Sequence, residues 1–172
     1  MRASTRYIAA VLSLALCFLS GCKNKEKEAR RETLIALMHG NTPDADIAAA
    51  IAKARETLPQ FLAVLKSPGS GQAQFMVRRQ FPTDKPDARQ ILIVNNVTYD
   101  GKLLHGKLDD NTARPGSGTT REGIVSFPPE EICDWMYNDN GKAAGGFMLR
   151  ALKLKLTEKE WSAYAERITF KD

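Results

Sequence analysis

The sequence predicts an α+β domain: an antiparallel, partly curled sheet of about five strands, with two N-terminal helices and one C-terminal helix. Three observations lead there. Ile47, Ile51, Ala54, Leu58, Phe61, Leu62 and Leu65 recur at intervals of three and four, the period of a helix with one apolar face. From Ala73 the apolar residues alternate instead, and turn signals at Asp100-Gly101 and Asn138-Asp139-Asn140-Gly141 divide the alternating stretch. Thr157 and Glu160 then form a capping box in front of a last apolar face.

In chain order, residues 26–38 read as a first helix, ended by His39-Gly40-Asn41. Thr42-Pro43-Asp44 opens the second. Thr42 caps it, Pro43 suits the first helical position, and Asp44 and Asp46 favour the positive end of the dipole. Pro59, lacking an N–H, kinks this helix or restarts it after Thr57. Ser67-Pro68-Gly69-Ser70-Gly71 is a loop, and residues 112–120 form another. Strand-like segments cover 75–81, 90–98, 102–108, 123–127, 132–137 and 143–150. Asp100-Gly101 is expected as a two-residue hairpin turn. Gly145-Gly146 inside the last segment calls for a sharp bend, or for another chain at close approach. In the final helix Leu156 staples against Trp161, and Trp161, Tyr164, Ala165 and Ile168 share a face that packs on the sheet.

Ahead of all this stands a leader. Met1-Arg2-Ala3-Ser4-Thr5-Arg6 is basic, residues 7–18 are apolar apart from Ser13, and Leu19-Ser20-Gly21-Cys22 follows. The apolar run is shorter than the ~20 residues a permanent membrane helix needs. It describes an export signal ending in what looks like a lipobox, with cleavage before Cys22 and a diacylglyceryl group on its thiol. The expected organisation is a lipoprotein signal peptide over 1–21, a lipidated tether and short helix over 22–40, and a single α+β domain over 41–172. Lys23, not Asp, follows the cysteine, which by resemblance to a lipoprotein sorting rule points to the outer membrane facing the periplasm. Lys23, Lys25, Lys27, Arg30 and Arg31 beside the lipid favour anionic headgroups, or serve as a solvated tether.

Loss of Arg2 and Arg6 with the leader leaves 23 basic residues against 20 acidic ones, too even a balance for nucleic-acid binding. Cys133 becomes the one free thiol, so no internal disulfide is expected. There is no phosphate-binding loop, dinucleotide fingerprint, Gly-x-Ser-x-Gly elbow or zinc-ligand spacing, and hence no cofactor or metal is expected. A Cys133–His105 nucleophile pair is conceivable, but a cysteine between Ile132 and Asp134 in an apolar strand is more simply a core thiol. Glu130 and Glu131 after Pro128-Pro129 mark the start of a strand rather than an acid–base pair.

Asp134-Trp135-Met136-Tyr137, with Gly141, Gly145-Gly146-Phe147 and Arg150, resembles the bacterial family called domain of unknown function 2314, which includes the YegJ-like proteins. Ala54-Arg55-x-Thr57-Leu58-x-x-Phe61, Phe75-Met76-Val77, Gly101, Gly106, Leu108 and Gly123-Ile124-Val125 extend the resemblance over roughly 47–165. Ile91-Leu92-Ile93-Val94 departs from the Glu-x-x-Trp-like start of that strand in many members. The resemblance implies a fold and no established activity. It directs attention to Asp134, Trp135, Gly146 and Arg150. Asp134 and Arg150 are expected on two strands of one hairpin, where opposite charges meet, with Trp135 and Tyr137 on the face opposite Asp134. The same residues could instead line a pocket, with Trp135 or Tyr137 stacking on a ligand.

Candidate binding residues are therefore Asp134, Trp135, Tyr137, Arg150 and His105, with lipidation at Cys22. A non-catalytic binding module of the envelope, taking a protein or small ligand, is the expectation. An immunity-type inhibitor of a periplasmic toxin is an alternative, as is an enzyme of unrecognised type using Asp134, His105 and Cys133.

Overall fold

The computed structural model describes residues 43–82, 89–109, 123–165 (side chains to 162) and 168–172, together with helical residues 25, 28–30, 32–34 and 36–37. The leader, Cys22, His39, Thr42, the loop at 112–120 and the side chains of Tyr164 and Ala165 lie outside the described residues. Residues 37–172 form a compact unit of their own, divided from the residues before them, and this unit carries the sheet. Its elements are α1 (Ala45–Glu56), α2 (Leu58–Lys66), β1 (Gln72–Pro82), β2 (Arg89–Tyr99), β3 (Leu104–Leu108), β4 (Ile124–Phe127), β5 (Ile132–Asp139), β6 (Lys142–Gly145), α3 (Phe147–Lys155) and α4 (Glu158–Ala165). The strands form one antiparallel sheet in the order β4-β3-β2-β1-β5-β6. The fold class is the expected α+β, with six strands instead of about five and two helices after the sheet instead of one.

Local chemistry explains most boundaries. Asp44 accepts the N–H groups of Asp46 and Ile47, both at 3.1 Å, and is the cap of α1. Pro59 restarts the helix as expected: α1 stops at Glu56 and α2 begins at Leu58. Asp139 pairs with Lys142 across Asn140-Gly141, at φ 53° and 84°, the double left-handed turn that suits a twisted hairpin. The Asp100-Gly101 turn is longer than the expected two residues. Tyr99 pairs with Leu104, and Asp100 Oδ1 accepts the N–H groups of Lys102 and Leu103 at 2.7 Å, drawing both into the loop. The capping box of α4 forms: Thr157 N–H donates to Glu160 Oε2 at 2.8 Å, and Glu160 N–H to Thr157 Oγ1 at 3.3 Å. Trp161 stacks on Phe170 of the C-terminal segment, whose residue 170 bridges Ala143 in parallel.

The largest departure lies at Gly145-Gly146. The segment 143–150 is not one strand: β6 ends at Gly145, and α3 starts at Phe147. Both glycines hold left-handed φ, 76° and 67°, and two such residues in succession turn a strand into a helix start rather than bend it. Beyond them Met148, Leu149, Ala151 and Leu152 are buried at helical spacing.

Register separates the two faces of the sheet. Leu108, Val94, Val77 and Trp135 are mutual partners on the first, where Phe61 and Leu65 of α2 complete the main core. On the second, one row crosses all six strands: Ile124, Lys107, Asn95, Met76, Met136, Gly145. A bulge at Cys133 shifts β5 by one residue against β1. At that end α1 and α3 cover the second face, enclosing Ile91 and Cys133 with Ile47, Ala50, Met148 and Ala151. Among the described residues no helix covers the remainder, with Met76, Asn95 and Met136 half-buried and Lys107 and Ile124 exposed. Among the described residues no helix is long and apolar enough to cross a membrane.

A Cβ on Gly145 would lie 2.3 Å from the Trp135 carbonyl oxygen and 2.4 Å from its ring. Left-handed φ alone costs about 1–2 kcal/mol for an alanine. Gly145→Ala should therefore destabilise the domain by about 3 kcal/mol or more in urea unfolding. Gly141→Ala, with positive φ but nothing within 4 Å, should cost only about 1 kcal/mol.

Candidate functional site

Asp134 and Trp135 each close the end of a helix. The N-terminus of α3 leaves N–H groups without helical partners, and its cap residue, Gly146, has no side chain to offer. Asp134 supplies the cap from β5: Oδ1 accepts Phe147 N–H at 3.1 Å and Oδ2 accepts Met148 N–H at 2.9 Å. Oδ1 also takes Trp135 N–H at 2.9 Å. Burial pushes the Asp134 carboxyl up to about 6, against the lowering effect of these N–H groups and of the Arg78 charge. On the other face, Trp135 Nε1–H donates to the carbonyl of Ala54 at 3.0 Å, one of the last carbonyls of α1. Its ring stacks on Phe61 at 5.1 Å and meets Phe147 edge-on at 5.5 Å. Gly146 N–H donates to its carbonyl at 2.8 Å.

Arg150 joins this cluster from α3, not from a strand facing Asp134, so the expected cross-strand pair is replaced. Its Nε–H donates to the carbonyl of Gly145 at 2.9 Å and its Nη2–H to that of Lys171 at 2.6 Å. The guanidinium lies over Phe170 at 4.3 Å. Tyr137 stacks on Phe75 at 5.2 Å in the main core. Asp134, Trp135, Tyr137 and Arg150 are thus brought together, in roles that join elements. His105 stands apart on β3. Its Nδ1 lies 2.8 Å from Ser126 Oγ and its Nε2 3.0 Å from Asp100 Oδ2. Cys133, whose thiol burial pushes up, is in the α1–α3 cluster, so the Cys133–His105 pair does not form. Among the described residues no three His, Cys, Asp or Glu side chains gather as a metal site would require.

The surface open to a ligand runs beside this cluster on the second face. An open trough of about 240 Å³ is lined by Met76, Met136, Tyr137, Lys142, Ala143 and Ile168, among others. Beside it a smaller cleft, also lined by Met76 and Met136, is bordered by Arg78, Asp134, Gly146 and Leu149. Arg78 is the register partner of Asp134, so a basic residue borders the cleft next to the two thioethers. Sequence reasoning missed Met76, Arg78 and Met136. The signal was their alternation with Val77 and Trp135, which puts apolar side chains on both faces of β1 and β5.

Asp134 gives the sign of a pH effect. Its folded pKa lies above the ordinary aspartate value, so the fold favours the protonated form. The resulting stability is complete below pH ~4 and is lost as pH rises through ~6, by at most about 3 kcal/mol. Asp134→Asn removes the titration. Relative to wild type, the variant should gain stability between pH 4.5 and pH 7.5 in urea unfolding. A difference that does not change with pH would contradict the burial of this carboxyl.

No solved structure matches the chain. A protein of Neisseria meningitidis serogroup B, described as an ankyrin repeat protein, is 32% identical over 89 residues, covering 49% of this chain and 34% of that protein. The chain thus spans about a third of the length of that curated relative. Residues 44–171, which include all six strands and the helices packed on them, match a family of uncharacterized proteins conserved in bacteria. The chain belongs to that family, domain of unknown function 2314.

Proposed function

We propose that the chain is a lipoprotein of the bacterial envelope, anchored by lipid on Cys22, whose domain is a binding module. The ligand or protein partner would sit in the trough on the second face of the sheet. The observation that carries this reading is the uncovered half of that face. Met76 and Met136 stay half-buried on a sheet whose other face carries the main core, with Arg78 beside them. Thioethers adapt to ligands of irregular shape, and exposed apolar surface of this kind marks interaction sites. Asp134 and Trp135 support the trough by holding α1 and α3 rather than by contacting a ligand, because their polar atoms are committed within the fold. The basic tether at Lys23, Lys25 and Lys27 would keep the domain near anionic headgroups.

Two measurements test the parts separately. Cys22→Ser should move the protein from the membrane to the soluble fraction of its host and abolish labelling with radioactive palmitate. A photo-crosslinking residue at position 76 or 136 should capture a discrete partner in cells, while one at Leu154, 85% exposed on α3, captures none. Equal capture from all three positions, or none from any, would remove the trough as the binding surface.

A further inference from the structure

A second cluster of polar side chains lies at the opposite end of the sheet, outside the trough. Asp100 Oδ1 is fixed by the backbone N–H groups of Lys102 and Leu103, each at 2.7 Å, which leaves Oδ2 for His105 Nε2 at 3.0 Å. Hydrogen bonds from Leu103, His105 and Lys102, the Leu103 N–H foremost, hold this carboxyl well below the usual range. An ionised carboxylate only accepts, so in the neutral imidazole Nε2 carries the proton and Nδ1 presents a lone pair. That lone pair faces Ser126 Oγ at 2.8 Å, so the hydroxyl donates to it. The result is a serine with a general base in hydrogen-bond contact, and a base oriented by a fixed carboxylate.

We propose that Ser126 is an acylable serine, the nucleophile of a Ser126–His105–Asp100 relay that cleaves small carboxylic esters. This goes beyond the binding role and uses none of the trough. His105 lies in an open bowl of about 450 Å³ that is also lined by Asn96, Thr98, Gly106, Lys107 and Ile124. Ile124, 43% exposed, gives an acyl chain an apolar surface two residues from Ser126. Lys107 is the partner of Ile124 in the next row of the same face, so a basic residue shares the rim of the bowl with His105. The ladder adds a donor. Leu108 N–H donates to the carbonyl of Gly123, which makes His105–Ser126 a pair without mutual backbone bonds and turns the Ser126 N–H off the outer edge of β4.

In the reaction Ser126 Oγ attacks the ester carbonyl carbon while its proton passes to His105 Nδ1. The carbon–alkoxide bond breaks, and the leaving alcohol takes that proton. Water then attacks the acyl-serine by the same route, releasing the carboxylic acid and restoring the hydroxyl.

The test uses the mature chain, a fluorophosphonate probe and p-nitrophenyl butyrate. Intact-mass and peptide analysis should find one phosphonyl group, on Ser126, in wild type and none in Ser126→Ala. His105→Ala should slow labelling and ester hydrolysis at least about 100-fold, the usual contribution of a general base. Thermal unfolding must show both variants folded; should His105→Ala fail to fold, Asp100→Asn takes its place, with slower labelling expected. Labelling no greater in wild type than in Ser126→Ala, or spread evenly over other hydroxyls, would overturn the proposal. So would a rate that the base variants leave unchanged.

Discussion

Two consecutive residues of β5 hold the helical half of this domain to its sheet. Asp134 on one face and Trp135 on the other meet opposite ends of two helices: the unpaired N–H groups that begin α3 and a carbonyl near the end of α1. Helix ends carry polar groups that cannot be buried without partners. A helix whose end is buried against a sheet therefore needs a side chain of the right polarity at its tip. Here one acceptor and one donor, adjacent in sequence and opposed by the alternation of the strand, serve both. The glycines follow from the same arrangement. Gly145 leaves room for the Trp135 ring and carbonyl, and Gly146 turns the chain so that α3 starts where Asp134 can reach it.

This arrangement gives the two faces different characters. The first is closed by α2 through Phe61 and Leu65 into a continuous core. The second is closed only at the end where α1 and α3 meet, because both helices are tied to the first half of β5. Beyond it Met76 and Met136 are left without a covering element among the described residues. The trough is thus a product of where the helices are fastened, and the bowl beside Asp100, His105 and Ser126 shares no lining residue with it.

Much of the fold was legible because its signals are local. The restart at Pro59, the Asn140-Gly141 hairpin and the Thr157–Glu160 capping box depend on residues within a few positions of each other. What escaped is non-local. The cap of α3 sits thirteen positions before the helix it serves, so its start showed no signal and residues 147–150 passed for strand. At Asp100 the side chain competed for two backbone N–H groups and lengthened a turn whose dipeptide looked like a two-residue loop. The site was legible in part for the same reason. Asp134, Trp135 and Arg150 stood out through a family resemblance, yet Met76 and Met136, though inside the same motifs, and Arg78 carried no sign that they border open surface. His105 was visible as a rare residue, but its partners come from a loop five residues back and a strand 21 residues on.

The Trp135–Ala54 hydrogen bond spans 81 residues of chain. Helices of 12 and 9 residues, such as α1 and α2, are marginal by themselves in water. The first part of the domain to be synthesised therefore gains its fastening only when β5 has emerged and paired with β1. Closing so long a loop is slow, so the fastening of α1 by Trp135 comes after the β1–β2 and β2–β3 pairings, which join neighbouring segments. Until then the apolar stripe of α1 and α2 is exposed, and the interval between synthesis and β5 docking is when this protein is most open to proteolysis or to capture by other chains.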